Sequence, residues 1–140
     1  MVRDRWDVLL VIACGGAAGS LARWALGEAL PHPPNGFPWA TFTENLAGGF
    51  VLGALMVWLT AVRPASRYLR PFLAVGLLGG FTTFSTYMVD TRGLLVVGRP
   101  GLAAAYLVGT VVGGLLAVLL GVLGGRAALT LAQRPTGRPR

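Results

Sequence analysis

The residues with the most chemical character lie in one run, Gly79-Gly80-Phe81-Thr82-Thr83-Phe84-Ser85-Thr86-Tyr87, midway through a long apolar stretch. Two glycines followed by hydroxyl residues are poor material for an uninterrupted helix. A break there frees backbone carbonyls, which is tolerated at membrane depth only where the chain is buried in protein or lines a cavity. Freed carbonyls at a helix break can hold a cation such as Na⁺. Beyond the break, Phe84 and Tyr87 stand three residues apart on one helical face. The edge of an aromatic ring is partly positive. Two such edges, with the Ser85 or Thr86 hydroxyl nearby, can replace some of the water around a small anion. A kink bonded by Ser/Thr and packed with aromatics accounts for the same residues without any ligand.

Three further polar groups fall within apolar stretches, where a central charge costs about 2.5–3.5 kcal/mol on insertion scales. Arg23 closes the segment Gly15-Gly16-Ala17-Ala18-Gly19-Ser20-Leu21-Ala22-Arg23-Trp24. It reads either as an arginine snorkelling near a helix end or as a structural or anion-attracting charge at a vestibule. Thr41-Phe42-Thr43-Glu44-Asn45 opens the second stretch. Glu44 and Asn45 face directions about 100° apart on a helix, so both cannot point into one narrow pore. Asn45 offers two N–H donors without net charge, which suits a partly dehydrated anion. Glu44, if ionised, is expected to face water or to pair with an arginine such as Arg23. In the fourth stretch Tyr106 and Thr110 share a face, one turn apart, with Gly114 a turn further on. A hydroxyl bonded back to its own helix explains Thr110 equally well.

The elements that must position these groups are four apolar stretches, each near the ~20 residues needed to cross a bilayer. They run over about 8–30, 39–62, 71–97 and 101–125. Pro31-His32-Pro33-Pro34-Asn35-Gly36 separates the first two, and no helix continues through such a run. Arg63-Pro64 ends the second, and Gly98-Arg99-Pro100-Gly101 divides the third from the fourth. His32 belongs to the proline loop and reads as a loop residue, not a metal ligand. The spacing predicts an all-α membrane protein: residues 1–125 as a four-helix transmembrane unit with its third helix broken near Gly79–Thr82, and 126–140 as a basic, disordered C-terminal tail. Gln133–Arg140, polar and proline-containing, is expected to be disordered. Glycines four apart (Gly15/Gly19, Gly49/Gly53, Gly109/Gly113, Gly121/Gly125) predict close helix packing in lipid. So compact a bundle has little room for a pathway of its own, which points to an oligomer.

Composition excludes other classes. Hydrophobic residues are 54% of the 140 and charged residues only 12%, about half the share in a soluble domain. The net charge of +7 would fit a nucleic-acid binder, but all twelve basic residues are arginines, nearly all at chain ends or between apolar runs. One cysteine, Cys14, allows neither an intrachain disulfide nor a Cys-based metal cage. Val11-Ile12-Ala13-Cys14 loosely matches a lipoprotein cleavage box, yet Cys14 reads better as a small residue within the first span. Arg3 and Arg5, then Arg63, Arg67 and Arg70, then Arg126, Arg134, Arg138 and Arg140 fall on one side, against Arg99 and Arg92 on the other. The positive-inside rule places both termini in the cytoplasm. No nucleophile–base pair or metal-ligand cluster suggests an enzyme. A small multidrug-type exporter needs a buried carboxylate in its first helix, and within the stretch 8–30 no acidic residue precedes Glu28. A non-transporting membrane partner subunit with Gly-rich faces leaves the Thr/Ser/aromatic cluster unexplained.

At these residues the sequence resembles the Fluc (CrcB) family of bacterial fluoride channels over all four spans, roughly 8–124. The most specific element is Gly79-Gly80-Phe81-Thr82-Thr83-Phe84-Ser85-Thr86, which looks like the family's third-helix signature. The segment ending in Arg23-Trp24 and the Thr41…Asn45 spacing are similar to its first- and second-helix motifs. The resemblance implies passive export of fluoride across the bacterial cell membrane by an antiparallel, dual-topology dimer enclosing two pores, with a single structural Na⁺ at the dimer centre. Carried over, the Na⁺ carbonyls belong to Gly79 and Thr82, the pore phenylalanine positions to Phe84 and Tyr87, the pore asparagine to Asn45 and the fourth-helix polar track to Thr110. Selectivity follows if donors and ring edges suit small fluoride but not larger chloride. Three departures stand out: Tyr87 in place of a phenylalanine, Glu44 where an apolar residue is common, and Gly114 where a hydroxyl is frequent. A subunit inserting both ways should carry balanced arginines. The strong bias here points instead to one half of a heterodimer with fixed orientation, whose partner supplies a complete pore set, as an alternative to a homodimer.

Overall fold

A computed structural model describes residues 5–33, 35–61 and 66–132. Arg3, Pro34, Arg63-Pro64 and the Gln133–Arg140 segment lie outside these residues. The described residues are helical, without strands. They comprise α1 (Trp6–Ala29), α2 (Trp39–Ala61), a widened π-helical segment Pro71–Leu77 running into the single turn α3 (Leu78–Phe81), then α4 (Ser85–Val96) and α5 (Pro100–Ala132). Four segments are long and apolar enough to cross a membrane: Trp6–Ala29, Trp39–Ala61, Pro71–Val96 and Pro100–Ala132. The chain is a multi-pass membrane protein by this criterion, as the hydropathy pattern predicts.

Two of the expected boundaries move. The fourth helix does not stop near residue 125 but continues to Ala132. At 1.5 Å per residue its 33 residues span about 50 Å, well beyond a hydrocarbon core of about 30 Å. Arg126 is therefore a helical residue and not the start of a loose tail. Gly79 and Gly80 are helical, and the third span opens just after them, at residues 82–84. Thr82 is the turning point, with an extended backbone (φ −80, ψ 154).

The packing is set by backbone approach at glycines. On α1, a Cβ at Gly19 would fall on the Leu77 carbonyl, and one at Gly15 on the Phe72 carbonyl. On α2, a Cβ at Gly53 would strike the Val118 carbonyl, and one at Gly121 on α5 the Phe50 carbonyl. The glycine pattern thus joins α1 to the third span and α2 to α5. Each pair runs parallel, as expected for alternating crossings: along α2 and α5 the contacts step from Phe42 beside Gly109 to Leu46 beside Gly113 and Phe50 beside Gly121. Small residues let helix backbones meet this closely in lipid.

The start of α1 and the loop before the third span share one end of the bundle. Asp7 accepts the Tyr68 hydroxyl and pairs with Arg67 at 3.0 Å. That hydrogen bond holds the Tyr68 phenol above its ordinary value. At the opposite end Gly98, with φ +74, closes α4 in the left-handed conformation that favours glycine. Pro100 then opens α5, where a missing N–H is harmless. Large apolar side chains such as Trp24, Leu115 and Val96 are exposed, a surface suited to lipid or to another subunit.

Candidate functional site

The break in the third span is built by side chains that take over its backbone bonds. In a continuous helix the Thr83 N–H would bond the Gly79 carbonyl. Here it donates to Asn45 Oδ1 at 2.9 Å, while Asn45 Nδ2 donates to the Thr83 carbonyl at 3.0 Å. The Thr86 N–H, which would reach the Thr82 carbonyl, donates instead to Thr83 Oγ1 at 3.2 Å. Arg23 Nε donates to the Gly80 carbonyl at 3.1 Å. Gly79 and Thr82 are thus among the residues whose carbonyls lose their ladder donors at the break.

Those two residues line a groove of about 480 Å³ together with Asn45, Phe84, Tyr87 and Thr110. A Cβ at Gly79 or Gly114 would meet open space, so at these two lining positions the groove borders backbone. Phe84 stands 74% exposed at its edge. The Phe84 and Tyr87 ring centroids are 5.8 Å apart with planes at 54°, so the predicted aromatic pair is adjacent. The two rings differ in setting, however. Tyr87 is only 4% exposed, packs on Tyr106 at 5.4 Å, and its hydroxyl donates to the Leu107 carbonyl at 2.7 Å.

The remaining candidates divide. Thr110 reaches the groove, but its hydroxyl proton goes to the Tyr106 carbonyl at 2.7 Å, the back-bonded arrangement. The Thr86 hydroxyl accepts from Thr83 Oγ1 at 3.1 Å, and Ser85 Oγ lies 3.3 Å from the same atom. Neither Ser85 nor Thr86 lines the groove. Arg23 also lies off it and serves the break from α1. Of Asn45's two amide donors, one is taken by Thr83. Glu44 neither faces water nor pairs with Arg23. It is 3% exposed, and the Arg23 guanidinium reaches the Gly80 carbonyl instead.

A second polar cluster was not read from the sequence. Asp90 Oδ2 accepts from Thr41 Oγ1 at 2.8 Å and from the Tyr106 hydroxyl at 3.2 Å, and Tyr106 is fully buried. The signal available was a lone acidic residue inside the third apolar run, four after Thr86. Its partners come from α2 and α5 and share no spacing with it.

This geometry meets the comparisons with known proteins. Residues 10–122 match the family model described as "CrcB-like protein, Camphor Resistance (CrcB)". The chain belongs to the CrcB family. It is 47% identical over 131 residues to "Fluoride-specific ion channel FluC 1" of Streptomyces coelicolor, covering 94% of this chain and 85% of that one. It is 47% identical over 127 residues to "Fluoride-specific ion channel FluC 2" of Nocardia farcinica, covering 91% of each. A "Fluoride-specific ion channel FluC 1" of Mycobacterium bovis is 48% identical over 113 residues, covering 80% of this chain and 85% of the relative. The CrcB match reaches into all four spans and includes every residue lining the groove.

Proposed function

We propose that this CrcB-family chain is one subunit of a fluoride-specific ion channel that lets cytoplasmic fluoride leave the cell down its gradient and so protects against fluoride toxicity. The observation that carries the reading is the similarity, at nearly half of all positions, to relatives named for that activity. The local chemistry agrees. Phe84 offers a ring edge at the mouth of the groove, Tyr87 supports that ring from behind, and Asn45 keeps one amide N–H beyond those facing Thr83. Small fluoride accepts short hydrogen bonds from such donors, while larger chloride does not fit them equally. The step is passive passage and involves no bond making.

The donor set at the break also fits a structural Na⁺. A hard cation takes oxygen ligands, and the Gly79 and Thr82 carbonyls have lost their helical N–H donors on an open face. When bound, Na⁺ would supply fixed positive charge at that face. The chain's own part is to present the two carbonyls and to keep the third span open. A second, antiparallel subunit is the natural cover for the groove and the exposed apolar surface. The arginine bias favours a sister subunit of opposite orientation over a second copy, with both termini of this chain in the cytoplasm and the assembly in the bacterial cell membrane.

A fluoride-electrode efflux assay in liposomes, with chloride as control, tests the function. Fluoride release without chloride release is expected when the chain is reconstituted with its sister subunit. Absence of fluoride release from that pair would refute the channel reading. Robust release from this chain alone would refute the strict heterodimer and leave the homodimer.

A further inference from the structure

Three side chains divide the backbone groups of the break between them. Arg23 takes the Gly80 carbonyl, the Thr83 hydroxyl takes the Thr86 N–H, and Asn45 takes both the N–H and the carbonyl of Thr83. The last contact decides the state of Gly79. A carboxamide presents a donor and an acceptor side by side, the same pair that a neighbouring peptide edge would offer. With Thr82 extended, Thr83 turns both of its groups toward α2, and Asn45 fills them at 2.9 and 3.0 Å. Without that partner, the nearest acceptor in sequence for the Thr83 N–H is the Gly79 carbonyl, and the helix would close over it.

We propose that Asn45 is a positioning residue for the cation site: by accepting the Thr83 N–H, it keeps the Gly79 carbonyl out of the helical ladder and open to a monovalent cation such as Na⁺. This rests on the sodium reading above and adds the residue, from a different helix, that prepares the site. Asn45 thereby acts twice. Its Oδ1 and one N–H shape the break, and its second N–H is left for the anion groove. The neighbouring Arg23 contact takes the Gly80 carbonyl, next to Gly79.

The two roles separate by substitution. Asn45→Asp retains an acceptor for the Thr83 N–H but places negative charge beside the anion groove. Asn45→Leu retains neither function at similar size. Thermal unfolding of the full chain assembled with its sister subunit in detergent is followed in Na⁺ and in N-methyl-D-glucamine at equal ionic strength, with fluoride efflux of the same assembly measured in parallel. A ligand that binds only the folded state raises its melting temperature. The wild type and Phe84→Ile are expected to show the Na⁺-specific rise, Asn45→Asp to keep the rise while losing fluoride flux, and Asn45→Leu to lose both. A wild-type rise in Asn45→Leu would overturn the proposal. Should that variant fail to fold, a folded Asn45→Asp protein without the rise would overturn it equally. Absence of any Na⁺-specific rise in the wild type would remove the sodium reading and this proposal together, whereas failure confined to the variants would remove this proposal alone.

Discussion

The Tyr87 hydroxyl donates to the Leu107 carbonyl at 2.7 Å, tying α4 to α5 directly behind the exposed Phe84 ring. The hydroxyl that distinguishes this residue from phenylalanine is thus turned away from the groove. Tyr87→Phe keeps the ring and loses one hydrogen bond, so stability should fall by about 1 kcal/mol with fluoride flux essentially unchanged. Thermal unfolding and liposome efflux of the same preparation check both halves. A large loss of flux would show that the hydroxyl serves the anion.

Phe84 is the opposite case, with little packing and much exposure. Phe84→Ile replaces a ring edge by an aliphatic surface that offers an anion no positive partner. Flux should drop by on the order of tenfold or more, about 1.4 kcal/mol in barrier, while the particle size of the protein in detergent stays the same. A fluoride electrode and size-exclusion chromatography provide the two readings.

Glycine packing predicts a contrast along one helix. Gly19→Ala drives a methyl group into the Leu77 backbone, whereas Gly27→Ala meets nothing within 4 Å. The first change should destabilise by about 1–3 kcal/mol, as overpacking does, and the second should be neutral or mildly stabilising. Melting temperatures of the two purified variants check the difference.

The Asp90 cluster predicts a structural cost away from the groove. Asp90→Asn removes the charge from the acceptor shared by Thr41 and Tyr106. Hydrogen bonds to a charged group contribute about 1.5–3 kcal/mol, so unfolding should come earlier by that order. Thr41→Val in the Asp90→Asn background should then cost less than it does alone, a double-mutant cycle reporting direct coupling.

Much of the architecture was legible in the chain. Four apolar runs of bilayer length, proline and glycine between them and glycines at four-residue spacing are local signals, and each follows from how lipid treats an unpaired backbone. The run Gly79–Thr86 also marked the third span for interruption. Its exact point was not legible. Gly79 and Gly80 have weak helical propensity, but both stay helical, with Gly80 packed against Gly16 of α1 and its carbonyl capped by Arg23. The break falls at Thr83, where Asn45 from α2 outcompetes the helix for the backbone.

The same division holds at the site. Sequence alone determined which residue types were present: a ring at 84, an amide at 45, hydroxyls in the broken span and arginines biased to one side. Tertiary structure decided which of them face the groove. It placed Phe84 at the mouth, buried Tyr87 behind it, bonded Thr110 back to its own helix, and joined Asp90 to Thr41 and Tyr106 from two other helices. The physical reason is that hydropathy and helical period act within one segment. A hydrogen bond between residues 38 positions apart, as between Asn45 and Thr83, depends on two helices meeting at one depth, and no local pattern encodes that depth.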